Sequence, residues 1–147
     1  MTITYHHGSI AELLAVDAAI PEFERHNTEQ VLSSRLTGKK TLILIARDNN
    51  QPIAYKLGYP LNAQAFYSWL GGVVPAYRKQ GIASALREQQ EQWALTEGYQ
   101  QISVKSMNRY PAMLRLLIAS GYQIVGYENN GNSNNSKICF SKSLKQS

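Results

Sequence analysis

The chain has 147 residues, enough for one domain with a sizeable core, and 44% hydrophobic against 17% charged residues excludes a disordered or fibrous chain. Lys and Arg outnumber Asp and Glu by 15 to 10, and the net charge of +5 favours an anionic ligand without choosing among nucleic acid, a phosphorylated cofactor and simple solubility. Cys139 is the single cysteine, which excludes an internal disulfide. "MTITYHHGSIAELL" carries no basic leader and no apolar run reaches membrane-spanning length, so the expectation is a soluble, cytoplasmic protein with no membrane partner.

In chain order, Ile3 and Tyr5 predict a short first strand. Ser9 and Glu12 have capping-box spacing, and Leu13, Leu14 and Val16 supply an apolar face, which predicts a helix over 9–19 interrupted by Pro21. Asn27 and Gln30 repeat that spacing ahead of Val31, Leu32 and Leu36 and predict a second helix. "TLILIAR" at 41–47 reads as a buried strand and "DNNQ" as a turn. "PIAYKLGY" is the returning strand, with Ile53, Tyr55, Leu57 and Tyr59 alternating on one face. "AFYSWLGGVV" at 65–74 is a further long strand. A helix over 81–97 follows, with Ile82, Leu86 and Trp93 on one side and a stop near Gly98.

"QISVKS" is the next strand, and an apolar helix over 109–120 is ended by Gly121. "YQIVGYE" and "KICFSKSL" pair across "NNGNSNNS", a solvated hairpin connection or else a substrate-facing loop. The order β-α-α-β-β-β-α-β-α-β-β, with no repeat and no linker, predicts one α+β domain over 1–147 built on a single mixed sheet. His6, His7 and His26 have no metal-ligand pattern, and no metal site is expected.

The stretch "VVPAYRKQGIASAL" at 73–86 places cations and a lone glycine where a strand turns into a helix. A helix N-terminus exposes unpaired N–H groups and about half a positive charge, so anions bind there. Gly81 lets the backbone approach an anion without a Cβ in the way, and Arg78 and Lys79 add charge beside it. Gly71-Gly72 in the preceding strand suggests a bulge or a ligand lying close to the backbone. A Walker loop would need Gly-Lys-Ser/Thr and a dinucleotide fingerprint three spaced glycines, and neither is present. The alternative is that Pro75 and Gly81 are turn punctuation and the cations a solvated corner.

Arg78-x-x-Gly81-x-Ala83, preceded by Val73-Val74-Pro75 and followed by an amphipathic helix, resembles the acetyl-CoA-binding motif Arg/Gln-x-x-Gly-x-Gly/Ala of the GNAT N-acetyltransferases. "SVKSMNRYPAMLRLLIASGY" is similar to the second family motif, and the element order matches as well. The resemblance implies a mostly antiparallel mixed sheet flanked by helices on both faces. It also implies an enzyme that moves acetyl from acetyl-CoA to a primary amine by direct transfer in a ternary complex.

On that resemblance Val73 and Val74 would pair with the pantetheine arm, and a strand N–H near Val74 would meet the thioester oxygen. The amides from Lys79 through Gln80, Gly81, Ile82 and Ala83 to Ser84 would hold the pyrophosphate, beside Arg78. Asn108 would lie near the cofactor from the other side of a cleft, although it sits two residues ahead of the usual asparagine position, which is Tyr110 here. Many members carry a tyrosine four residues before the closing glycine as the acid for the departing thiolate. That place is Leu117, which leaves Tyr110 as a substitute acid or a packing residue.

An alkylamine with a pKa of about 10.4 is almost wholly protonated at neutral pH, so acetylation needs a base. The strand over 65–74 carries no carboxylate, which makes Glu22 and Glu24 in "IPEFERHN" the candidates, with a water relay as the alternative. Tyr55, Tyr59, Tyr67 and Trp69 are either core or the wall of an acceptor pocket. The acceptor is left open among small amines, amino acids, antibiotics and peptide lysines, and a homodimer is left open too. The competing readings are a non-catalytic acyl-CoA-binding module and a small basic nucleic-acid-binding domain. The latter is disfavoured because the cations are scattered and no recognition helix appears.

Overall fold

Ser9 starts the first helix as its spacing predicts. In the computed structural model, which describes residues 2–21 and 27–144, the Ser9 hydroxyl accepts from the Glu12 N–H at 3.2 Å, and the Ser9 N–H donates to Glu12 Oε1 at 3.3 Å. The other carboxylate oxygen of Glu12 meets the Arg47 guanidinium at 2.6 Å, so the capping residue also ties helix α1 (Ile10–Ala18) to strand β2 (Leu42–Asp48). Gly8, just before the cap, is a close-approach position: a Cβ there would lie 2.2 Å from Ile45 Cγ1.

Helix α2 (Glu29–Leu36) begins one residue later than the Asn27/Gln30 spacing suggests. Thr28 is the N-cap and accepts from the Val31 N–H at 3.2 Å. Asn27 is drawn elsewhere: its N–H and its side-chain amide both donate to the carboxylate of buried Asp17, at 3.1 and 3.3 Å. A buried carboxylate needs donors more than a helix end needs one particular cap.

β2 turns directly into β3 (Gln51–Pro60) through Asn49 and Asn50, with Asp48 opposite Gln51. Both asparagines take positive φ, 49° and 73°, as a two-residue hairpin of the type I′ class requires. β3 departs from the expected alternation. Ala54 and Gly58 are buried along with Ile53, Tyr55, Leu57 and Tyr59, so the strand is covered on both faces.

The remaining elements are β1 (Ile3–His7), β4 (Ala65–Val73), a 3-10 turn (Pro75–Tyr77), α3 (Ile82–Thr96), β5 (Gln101–Met107), α4 (Pro111–Ala119), β6 (Gln123–Glu128) and β7 (Lys137–Ser143). Together they make an α+β fold on a seven-stranded, mostly antiparallel sheet of order β1-β2-β3-β4-β5-β7-β6. β4 and β5 run parallel, and their ladder ends at Ser68 and Val104 while β4 continues to Val73. α4 starts at 111 because Pro111 suits a first helical position and resists a place further inside.

The contacts group into two compact units, 1–60 with 69–93 and 61–68 with 94–147. The first buries Leu13, Val16, Leu32, Ile45, Leu57 and Leu86. Each side chain of this kind stabilises by about 1.5–3 kcal/mol when fully buried. The buried stripe of α3 is Ile82, Leu86, Gln90 and Ala94 at strict i, i+4 spacing, with Trp93 half-buried beside it under Lys40. The second unit centres on Phe66, Ile102, Leu117, Tyr122 and Phe140.

Candidate active site

The exit from β4 is pinned before the loop begins. The Val74 N–H donates to the Ile53 carbonyl at 2.9 Å, so an N–H near Val74 that meets a thioester oxygen would have to be a neighbouring one. Strand alternation then aims the backbone groups of Val73 at the opposite edge. There the Val73 carbonyl accepts from Arg78 Nε at 3.1 Å. Below it, the Tyr77 hydroxyl donates to Asp48 Oδ2 at 2.5 Å, which fastens the 3-10 turn to the end of β2. That bond holds the phenol above its usual pKa, with partial burial and the negative charge of Asp48 adding to the effect.

Two backbone positions shape the loop itself. Lys79 has φ 63° and Gly81 has φ 80°. Residues of alternating handedness turn successive N–H groups to one side and make an anion-binding concavity. Among the described residues nothing lies within 4 Å of where a Gly81 Cβ would be. Glycine is therefore required here by the backbone turn and by an open approach, and not by packing.

The first intrahelical bond of α3 runs from the Ala85 N–H to the Gly81 carbonyl at 3.0 Å. The amides of Ile82, Ala83 and Ser84 precede it and point out of the helix end. The first turn of this 15-residue helix carries no acidic side chain to compete with an incoming anion. Amides at a helix end, a positive-φ glycine over open space and the flanking Arg78 and Lys79 together fit a pyrophosphate group.

The residues singled out on the β5–α4 connection lie in the other compact unit. The Asn108 side chain donates to the Ser133 carbonyl at 2.8 Å, and the Arg109 guanidinium bonds the Asn135 side chain. Asn108 thus holds the 129–136 connection, which is further ordered by Ser136, fully buried and bonded to the Asn130 N–H and the Asn132 carbonyl, both at 2.9 Å. That connection is a hairpin turn, exposed over 129–135 and ordered from within by these bonds.

Tyr110 precedes α4 with its side chain 41% exposed, open to a reacting group, whereas Leu117 is 4% exposed and packs in the core. Glu22 and Glu24 lie outside the described residues. The residue that closes their segment is visible: Asn27, held by Asp17, whose carboxylate also accepts from the Tyr55 hydroxyl at 3.4 Å. Tyr55 is accordingly core. Its phenol is driven far above the usual range by burial first, then by the Asp17 charge and the bond to it.

Tyr59 and Trp69 pack edge to face, with ring centroids 5.7 Å apart. Sequence reasoning overlooked Asp17, Asp48 and Arg35. Each lies on an ordinary helix or at a strand end, and only its long-range partner marks it. Among the described residues no group of three His, Cys, Asp or Glu side chains could hold a metal, and no helix is long and apolar enough to cross a membrane.

The geometry is that of a protein whose strand–helix junction at 73–84 suits an anionic group. A model of the acetyltransferase (GNAT) family matches residues 9–122, and the chain belongs to that family, whose co-substrate is acetyl-CoA. No curated protein sequence matches significantly.

Among solved structures, the ribosomal-protein-S18-alanine N-acetyltransferase from Escherichia coli is similar with a TM-score of 0.86 at 14% identity, covering 99% of this chain and 96% of the other. A GNAT family acetyltransferase from Elizabethkingia anophelis with acetyl-CoA bound gives 0.75 at 18% identity over 96% and 97%. Arabidopsis thaliana NAA60 in complex with a bisubstrate analogue gives 0.80 at 16% identity over 97% and 98%. At these identities the likeness concerns the fold.

Proposed function

We propose that the chain is a single-domain N-acetyltransferase that passes acetyl directly from acetyl-CoA to a primary amine within a ternary complex. The observation that carries this reading is the loop at 78–84: paired positive-φ positions at Lys79 and Gly81 lead into the amides of a helix end whose first turn carries no acidic side chain. Acetyl-CoA supplies the activated acyl group as a thioester. The chain supplies the rest. Amides from Lys79 to Ser84 hold the pyrophosphate, Arg78 adds its charge, and the Val73 backbone faces the edge where the pantetheine arm would lie, in place of Val74.

Glu22 or Glu24 takes a proton from the ammonium of the acceptor, and Tyr110 returns one to the departing sulfur. A bisubstrate analogue in a neighbour of the same fold supports a complex holding both substrates at once. The single cysteine supports a cytoplasmic setting. The test is release of free thiol on incubation with acetyl-CoA and a panel of amines, expected for at least one acceptor. Acetyl-CoA binding with no thiol release on any acceptor would instead favour a non-catalytic acyl-CoA-binding module, the reading to which Leu117 in the tyrosine position lends weight.

A further inference from the structure

Among the described residues Arg35 is held in place without meeting a carboxylate. It sits in the last turn of α2, where its Nη1 donates to the Tyr59 hydroxyl at 3.0 Å and its guanidinium carbon lies 4.6 Å from the centre of the Trp69 ring. Lys39 converges on the same spot: its ammonium donates to the Arg35 carbonyl at 2.6 Å and stands 5.2 Å from the Tyr59 ring centre. Stacking on a ring and bonding a neutral phenol fix the orientation of a guanidinium and leave its charge and most of its donors unspent. Other arginines of the same unit are treated differently. Arg47 meets Glu12 at 2.6 Å and Arg87 meets Glu91 at 3.0 Å. Among the described residues neither Arg35 nor Lys39 has a carboxylate partner.

The two cations line an open groove of about 530 Å³ with Gln30, Val31 and Ser34. That volume suits a small molecule or the end of a peptide. Among the described residues its lining offers a cationic fork, an ammonium, an amide and a hydroxyl, and no acidic group. Trp69, under the guanidinium, lies on β4, the strand that runs on into the loop at 78–84. We infer that the amine acceptor carries an oxyanion, a carboxylate or a phosphate, on its non-reacting part, and that Arg35, assisted by Lys39, receives it in this groove. The inference rests on the acetyltransferase reading above and names its acceptor class. A planar fork already locked against an aromatic ring loses little freedom on meeting an oxyanion, and the resulting bond is charge-assisted.

The experiment compares matched primary amines bearing a carboxylate, a phosphate or a neutral amide at the same position. In the wild type at least one anionic member is acetylated with kcat/KM about ten- to a hundredfold above the amide, the worth of a charge-assisted hydrogen bond. Arg35→Ala erases that ratio, Arg35→Lys keeps part of it, and raised salt narrows it. The difference between the carboxylate and phosphate arms identifies the anion. Equal acetylation of all three, or a ratio that survives Arg35→Ala, overturns the inference.

A binding readout separates this from failure of the acetyltransferase reading. In a Trp93→Phe background Trp69 is the only tryptophan, and titrating the anionic amines should change its emission in a way that Arg35→Ala abolishes. Anion-dependent emission without turnover keeps the groove and removes the catalytic reading. No emission change in the wild type overturns the groove.

Discussion

Arg78 Nε donates to the carbonyl of Val73, 3.1 Å away, so this arginine is anchored to the strand that feeds the loop at 78–84. Charge and geometry can therefore be separated by substitution. Arg78→Lys keeps a cation but loses the fork that reaches the strand edge, and Arg78→Ala loses both. Both should weaken acetyl-CoA binding. The deficit of Arg78→Ala should shrink as salt screens the field, and any part that Arg78→Lys shares at high salt reports the lost anchor. Isothermal titration at two ionic strengths measures this.

Gly81 supports a paired test. Any side chain at φ 80° costs about 1–2 kcal/mol, so Gly81→Ala and Gly81→Asp should lower the unliganded melting temperature to a similar extent. With acetyl-CoA at about a hundred times its dissociation constant, wild type gains roughly 2.7 kcal/mol. Gly81→Ala should keep a measurable part of that shift. Gly81→Asp should keep none, because its carboxylate stands where the helix end would meet the anion. A full shift in Gly81→Asp would sink the pyrophosphate assignment.

Tyr110→Phe should lower kcat by about a hundredfold, the usual worth of general acid catalysis, with little change in acetyl-CoA affinity. Its side chain is 41% exposed, so the melting temperature should hardly move. Unchanged kinetics would remove Tyr110 from the mechanism and leave thiolate departure unassisted.

Replacing the true base among Glu22 and Glu24 by glutamine should flatten the rising limb of kcat/KM against pH while acetyl-CoA binding persists. If both variants retain the wild-type profile, the proton goes to water. Asp17→Ala bears on the same segment by another route. It strips Asn27 and Tyr55 of a buried acceptor and should destabilise by about 1–3 kcal/mol, read by denaturant titration.

Lys56 gives a stability signature with a definite sign. Burial, together with the Arg87 charge, pushes its ammonium down to about 8 from 10.5, with Glu91 opposing the shift. The folded state thus disfavours the charged form. That penalty is fully present below pH 8 and fades between about pH 8 and 10.5, where the unfolded chain holds more protons, so stability contributed by this group rises with pH across that window. Lys56→Met should remove the rise and leave Glu91 paired with Arg87 at 3.0 Å. A slope unchanged by the substitution would show that Lys56 titrates normally.

Features legible in the residues alone are those whose partners lie within a few positions. The Ser9–Glu12 capping box, the Asn49-Asn50 hairpin, the stops at Gly98 and Gly121 and the strand–loop–helix at 73–86 are all set by backbone dihedrals and contacts between near neighbours. The family resemblance, by contrast, is what marks Leu117 as standing in the position of a catalytic tyrosine.

Tertiary structure decided what those residues do at longer range. Asn27 left its expected cap for Asp17, 10 residues back, and Asn108 turned to the Ser133 carbonyl, 25 residues on. Arg35 reached Tyr59 across 24 positions. β3, patterned as a half-buried strand, is covered on both faces. Such pairs depend on which elements pack together and in what register, and a buried polar group takes whichever partner the fold brings within hydrogen-bond reach.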